Sequence, residues 1–75
     1  MRIIFSKHAL LKMRERRIPE SKVIAVIKKP TSQQAGYVLR MELFGRFGKR
    51  HLKVIIQNTP QSIIVVTTHW VEKIR

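Results

Sequence analysis

The hydrophobic pattern of this chain changes period once, near residue 31, from helical spacing to alternation. Arg2 to Phe5 reads as a short apolar strand. Ser6 then suits a helix N-cap, with Phe5 and Leu10 in the two positions of a hydrophobic staple. The helix runs to about Arg16 and turns Ala9, Leu10, Met13 and Leu11 toward a core. Ile18-Pro19-Glu20 opens a second helix, with Pro19 at its first position and Glu20 at the positive end of its dipole. Val23, Ile24, Val26 and Ile27 supply its buried side, and Lys28, Lys29 and Pro30 close it.

Thr31 to Ala35 reads as a polar loop. From Gly36 to Phe44, Tyr37, Leu39, Met41 and Leu43 fall on one strand face and Arg40 and Glu42 on the other. Gly45 to Arg50 reads as a hairpin loop, His51 to Asn58 as a strand, Asn58 to Gln61 as a turn and Ser62 to Trp70 as a last strand. On that strand Ile63 and Val65 share the face of Thr67 and His69, opposite Thr68 and Trp70. Glu72 to Arg75 reads as a basic tail or a short final turn. The expected fold is α+β: an N-terminal strand, two helices, then a three-stranded antiparallel meander with both helices on one sheet face. Residues 1–75 form a single domain with no internal repeat or linker.

Charge sharpens this picture. Sixteen Lys and Arg face four Glu, for a net charge of +12. That imbalance concerns partners rather than fold: nucleic acid first, an acidic protein second, an anionic membrane third. No apolar run approaches the roughly 18 residues of a spanning helix, so no membrane is expected and a cytoplasmic location is the default. A chain this cationic repels itself, which favours a partner that neutralises part of the charge. There is no cysteine, so disulfides and cysteine-ligated metals are excluded.

The candidate chemistry follows from what remains. The four glutamates form no acid pair in sequence, and His8, His51 and His69 lack metal-ligand spacing. No phosphate-binding glycine loop or nucleophile elbow occurs. Catalysis on His, Lys, Arg, Tyr, Thr and Ser suits RNA cleavage without metal or cofactor. There the 2′-hydroxyl is an internal nucleophile, and the protein positions phosphate and moves protons. His8, Lys12 and Arg16 recur every four residues along the first helix, a titratable imidazole beside two cations. His8 alternatively is a surface histidine near a helix start. Arg14, Arg16 and Arg17 read as a polyanion site or as a solvated helix end, and Arg40 as a phosphate clamp or a partner of Glu42. Arg46, Lys49, Arg50 and Lys53 read as an arm for nucleic-acid backbone or as lysines guarding a sheet edge. Phe47 stacks on a base, anchors a partner or tucks onto the sheet. Thr67 and His69 belong to a site or to a partly buried stripe. Aromatic residues are few, at 7%, which disfavours base-stacking platforms.

The stretch Phe5-Ser6-Lys7-His8-Ala9, followed by Lys12, Met13, Arg16 and Ile18, resembles the pattern F-[ST]-x-H-A-x-x-[RK]-M-x-x-R-x-I. That pattern opens a small domain of unknown function, DUF4258. The resemblance continues through Val23, Pro30, Leu52 to Ile56 and Ile63 to Trp70, nearly the whole chain. The domain looks like a relative of the RelE and BrnT toxins of bacterial toxin–antitoxin modules. The resemblance implies helices packed on a twisted antiparallel sheet, metal-free RNA cleavage and an acidic antitoxin covering the basic face. His8, Lys12 and Arg16 match the opening motif, while Arg40, Lys53 and Thr67 lie on strands where such toxins place catalytic or phosphate-binding groups. Three positions depart: Lys12 stands where arginine is usual, Arg17 where glycine is common and His69 where tyrosine is frequent.

The expected function is a metal-independent RNA endonuclease that inhibits translation as the toxin of such a module, acting on RNA, on the ribosome or free. His8, Lys12, Arg16, Arg40, Thr67 and His69 are its expected catalytic set, and Lys7, Arg14, Arg17, Arg46, Lys49, Arg50 and Lys53 its RNA contacts. The alternatives are a non-catalytic module binding RNA or a ribosome, and a basic partner of an acidic protein.

Overall fold

A computed structural model describes residues 2–72. The elements are β1 (Arg2–Phe5), α1 (Lys7–Arg16), α2 (Glu20–Lys28), β2 (Ser32–Ala35), β3 (Arg40–Phe47), β4 (Arg50–Asn58) and β5 (Ser62–Val71). They form an α+β fold with one five-stranded sheet in the order β1-β5-β4-β3-β2. The sheet is mixed, since β1 runs parallel to β5 while every other pair is antiparallel. α1 packs over β5, and α2 over β3 and β4. Ala9, Met13, Ile18, Val23 and Val26 from the helical layer meet Leu43, Leu52, Val54, Ile56 and Val65 from one sheet face in a single core. Among the described residues no helix covers the opposite face.

Local chemistry accounts for most boundaries. The Ser6 hydroxyl accepts from the Ala9 N–H at 3.0 Å and donates to the Val66 carbonyl at 3.1 Å, so the α1 cap is also its anchor on β5. Arg17 ends α1 in the left-handed conformation (φ 55°), its N–H bonded to the Met13 and Arg14 carbonyls. Pro19 stands at the N-cap of α2, one position earlier than expected, and its carbonyl receives the Lys22 and Val23 N–H groups. At Gly45 a Cβ would lie 2.4 Å from the Val26 Cγ2, so this glycine lets α2 sit directly on β3.

Five expectations are corrected. Ser32–Ala35 is an edge strand, not a loop. With both of its faces exposed it has no apolar alternation, and it is held by backbone pairing and by a Gln34–Glu42 side-chain bond of 2.7 Å. Tyr37, Val38 and Leu39 are not strand residues but the tip of the β2–β3 hairpin, 79%, 72% and 78% exposed, with Leu39 at φ 62°. Gly45 to Phe47 extends β3, so the expected loop shrinks to a tight turn at Gly48–Lys49, where Gly48 takes φ 67° as a two-residue hairpin demands. Leu10 and Leu11 are exposed, because only the Ala9–Met13 stripe meets the sheet.

The fifth correction matters most for the site. The β4–β5 register pairs Ile55 with Thr67 but Ile56 with Val65, leaving Val66 as an unpaired bulge. The extra residue flips the facing of everything after it. Ile63 and Val65 therefore face the helices together with Thr68 and Trp70, and Thr67 and His69 face the bare side. Residues 73–75 of the expected tail lie outside the described residues.

Candidate nucleic-acid interface

β1 stops opposite Val65, so from Val66 onward no described strand lies beside β5 on that side. α1 takes that place. It is tied at its start by Ser6 to the Val65 and Val66 carbonyls. At its end, Arg16 Nη1 donates to the Thr68 carbonyl at 2.5 Å, and Trp70 Nε1 donates to the Arg16 carbonyl at 3.2 Å. Arg16 is thereby fixed at the rim where the helical layer meets the bare sheet face.

A polar row crosses that face toward Arg16. The Glu42 Oε1 on β3 receives Gln34 Nε2 from β2 at 2.7 Å and Lys53 Nζ from β4 at 3.2 Å. Lys53 is paired across the strands with His69 on β5, placing their side chains as neighbours. The row therefore reads Gln34, Glu42, Lys53, His69 and then Arg16. Thr67 lies two residues from His69 on the same face, opposite Ile55. Phe44 lies buried on this side of β3, with the Lys53 ammonium 5.9 Å from its ring centre.

The electrostatics of the row are lopsided. Partial burial pushes the His69 imidazole below its ordinary pKa, and the charges of Lys53 and Arg16 push it further, against a smaller opposing pull from Glu42. Its neutral form is thus favoured beside the two cations. The Glu42 carboxyl is lowered from the usual range, first by the Gln34 bond and then by Lys53, against the cost of burial.

The expected residues divide accordingly. Arg16, Lys53, Thr67 and His69 come together. Lys12 instead pairs with Glu15 at 3.1 Å. His8 is exposed and, among the described residues, makes no hydrogen bond. An interval of four residues overshoots a helical turn, so His8 lies about 80° around α1 from Arg16. Arg40 is exposed at the start of β3, opposite Gln57 and away from His69.

The expected RNA contacts are spread over both layers. Lys7, Arg14 and Arg17 are exposed along α1, and Arg46 and Lys49 at the β3–β4 turn. The Arg46 Nε donates to the Gly48 carbonyl at 3.1 Å. Arg50 sits 4.0 Å over the Trp70 ring, and Lys22 5.2 Å over Phe47 and 5.4 Å over Trp70. The two rings meet edge to face at 6.3 Å, so Phe47 tucks onto the sheet. That cluster draws on residues 22, 47, 50 and 70, which no sequence period links. Glu42 and Gln34 also escaped the sequence reading. Glu42 was visible as a polar strand residue, whereas Gln34 gave no signal from a stretch read as loop.

Fold and site together define a small two-layer α+β domain with a bare, basic sheet face. The chain belongs to the DUF4258 family, a domain of unknown function, which it matches over residues 5–70. No curated protein and no solved structure matches it.

Proposed function

We propose that this domain is a metal-independent RNA endonuclease whose centre lies on the bare sheet face, and that it acts as a translation-inhibiting toxin controlled by an acidic antitoxin. The observation that carries this reading is the placement of His69, cross-strand neighbour of Lys53, beside the Thr68 carbonyl that fixes Arg16 at the rim of that face. A neutral imidazole accepts the 2′-hydroxyl proton. The 2′-oxygen then attacks the adjacent phosphorus, the P–O5′ bond breaks, the departing 5′-oxygen takes a proton from water, and a 2′,3′-cyclic phosphate remains. Arg16 and Lys53 stabilise the charge that builds on the phosphate oxygens. Thr67 is placed to orient the phosphate or the ribose. Arg40, Arg46 and Lys49, at the ends of β3 and its turn, extend the positive path for flanking phosphates. The likeness of the DUF4258 domain to the RelE and BrnT toxins supports the same class.

The test is single-stranded RNA incubated with the purified protein in a chelator, alone and with translating ribosomes. His69→Ala, Arg16→Ala and His8→Ala are run beside the wild type. Cleavage leaving cyclic-phosphate ends and reduced about 100-fold in His69→Ala supports this centre. Loss in His8→Ala with His69→Ala unaffected moves the chemistry to the α1 flank. Binding without cleavage in either setting favours the non-catalytic module, which the spread of cations over both layers also suits. For about five contacted phosphates on single-stranded RNA, log affinity should fall with log salt at a slope near −3.5.

A further inference from the structure

β2 ends the sheet on the side away from α1, and no other described strand covers its outer edge. The Gly36 N–H donates to the Arg40 carbonyl at 2.9 Å. The alternation of an antiparallel ladder then turns the backbone groups of Gln33 and Ala35 outward. Ser32, Gln33, Gln34 and Ala35 hold no charge and no proline, the usual devices that blunt a free edge. α2 packs on β3 and β4, and Gln33, Gln34 and Ala35 of β2 are exposed.

Two further features lie along the same edge. The hairpin tip Tyr37-Val38-Leu39 projects large apolar side chains into solvent, and the Arg40 N–H donates to the Tyr37 carbonyl at 2.8 Å to hold the turn. At the other end of β2, a cleft of about 250 Å³ opens between α2 and β3. Its apolar floor is Ala25, Val26 and Phe47, and Lys29 and Arg46 stand among its lining. Lys28 and Lys29 precede the edge and Arg40 follows it.

We infer that the outer edge of β2 takes an extended acidic segment of another polypeptide as a sixth strand. Its backbone pairs with Gln33 and Ala35, one apolar side chain enters the cleft, and its carboxylates meet Lys29, Arg46 and Arg40. Charge selects this occupant. A second copy would bring the same cations against themselves, each chain at +12. RNA could meet the flanking cations but has no backbone amides to pair with the open strand edge and no side chain for the apolar cleft. The β2 edge lies across the sheet from Arg16 and His69, while Arg40 and Arg46 are shared with the phosphate path, so the inference deepens the acidic-partner part of the proposed function without using its chemistry.

The test titrates the full isotope-labelled chain with a short synthetic peptide alternating glutamate with valine. Matched peptides carry glutamine or lysine in place of glutamate. Glutamate peptide should shift the amide signals of residues 31–39 and 25–29 and slow hydrogen exchange at Gln33 and Ala35. Ala35→Pro, which removes an outward N–H, should weaken binding at least about tenfold. Lys29→Glu with Arg46→Glu, both exposed and outside the core, should reverse the preference toward the lysine peptide. No shift at millimolar peptide, shifts centred on α1 and β5, or equal binding of the glutamine peptide overturns the inference. So does an RNA oligonucleotide that perturbs the β2 amides more strongly than the glutamate peptide.

Discussion

The two faces of the one sheet are built on opposite terms. Toward the helices, Leu52, Val54, Ile56 and Val65 are buried among aliphatic neighbours, and a single glycine sets how closely α2 can approach. On the other side a row of charged and hydrogen-bonding groups runs through the middle of the face, with Phe44 sunk beside it. The first face stabilises and tolerates little change of volume. The second contributes little burial and is free to carry charge. The contrast teaches that composition alone cannot single out a face here, because basic residues decorate both layers while His69 and its cationic neighbours come together on one.

That division can be broken from either side. The largest effect is expected in the covered face. Leu52→Ala should lower stability by about 3 kcal/mol, a large fraction of the total for a chain this small. Gly45→Val should do comparable damage by forcing a side chain against Val26. Chemical denaturation measures both, and an intact midpoint for Leu52→Ala would mean the core lies elsewhere. On the bare face, His69→Ala should leave the denaturation midpoint within about 0.5 kcal/mol and reduce RNA cleavage about 100-fold. The reverse outcome would make His69 a packing residue.

A smaller effect sits in the helical layer. Arg17 and Leu39 adopt left-handed backbone conformations at φ 55° and 62°. Arg17→Gly should therefore stabilise by about 0.5–1 kcal/mol, read as a rise in melting temperature. Leu39→Gly should gain less, because removing an exposed tip also loosens the unfolded chain.

The smallest effect is one of pH. His69 is lowered from 6.5 in the folded protein, so on acidification below that value the unfolded chain binds its proton first. Stability should be flat above pH 6.5 and decline as pH falls toward the folded pKa. Glu42, lowered from 4.5, adds a second decline beginning below that value. Melting curves of His69→Asn should lose the first decline and keep the second. Persistence of both would assign the first to another group.

The helical half was largely legible in the sequence, because Ser6, Ala9, Met13, Pro19, Val23 and Val26 follow rules of capping and period that act within a few residues. What escaped depended on partners distant in the chain. β2 shows no alternation because neither of its faces is covered. The Val66 bulge leaves no local mark, yet it decides which way Thr67 and His69 point. The candidate site suffered most from the same cause. His8, Lys12 and Arg16 share a spacing, but Arg16 is turned under by its bond to the Thr68 carbonyl. Its neighbours Lys53 and His69 come from strands much later in the chain.

The parallel pairing of β1 with β5 joins Arg2 to Ser62 and Phe5 to Val65. The sheet cannot be completed until β5 has been made, and such long-range closure is slow compared with forming either helix. β5 also carries His69 and the carbonyl that fixes Arg16. Until that strand docks, the growing chain holds its cations without the imidazole between them. Folding of the sheet and assembly of the candidate centre therefore coincide, both waiting on the docking of β5.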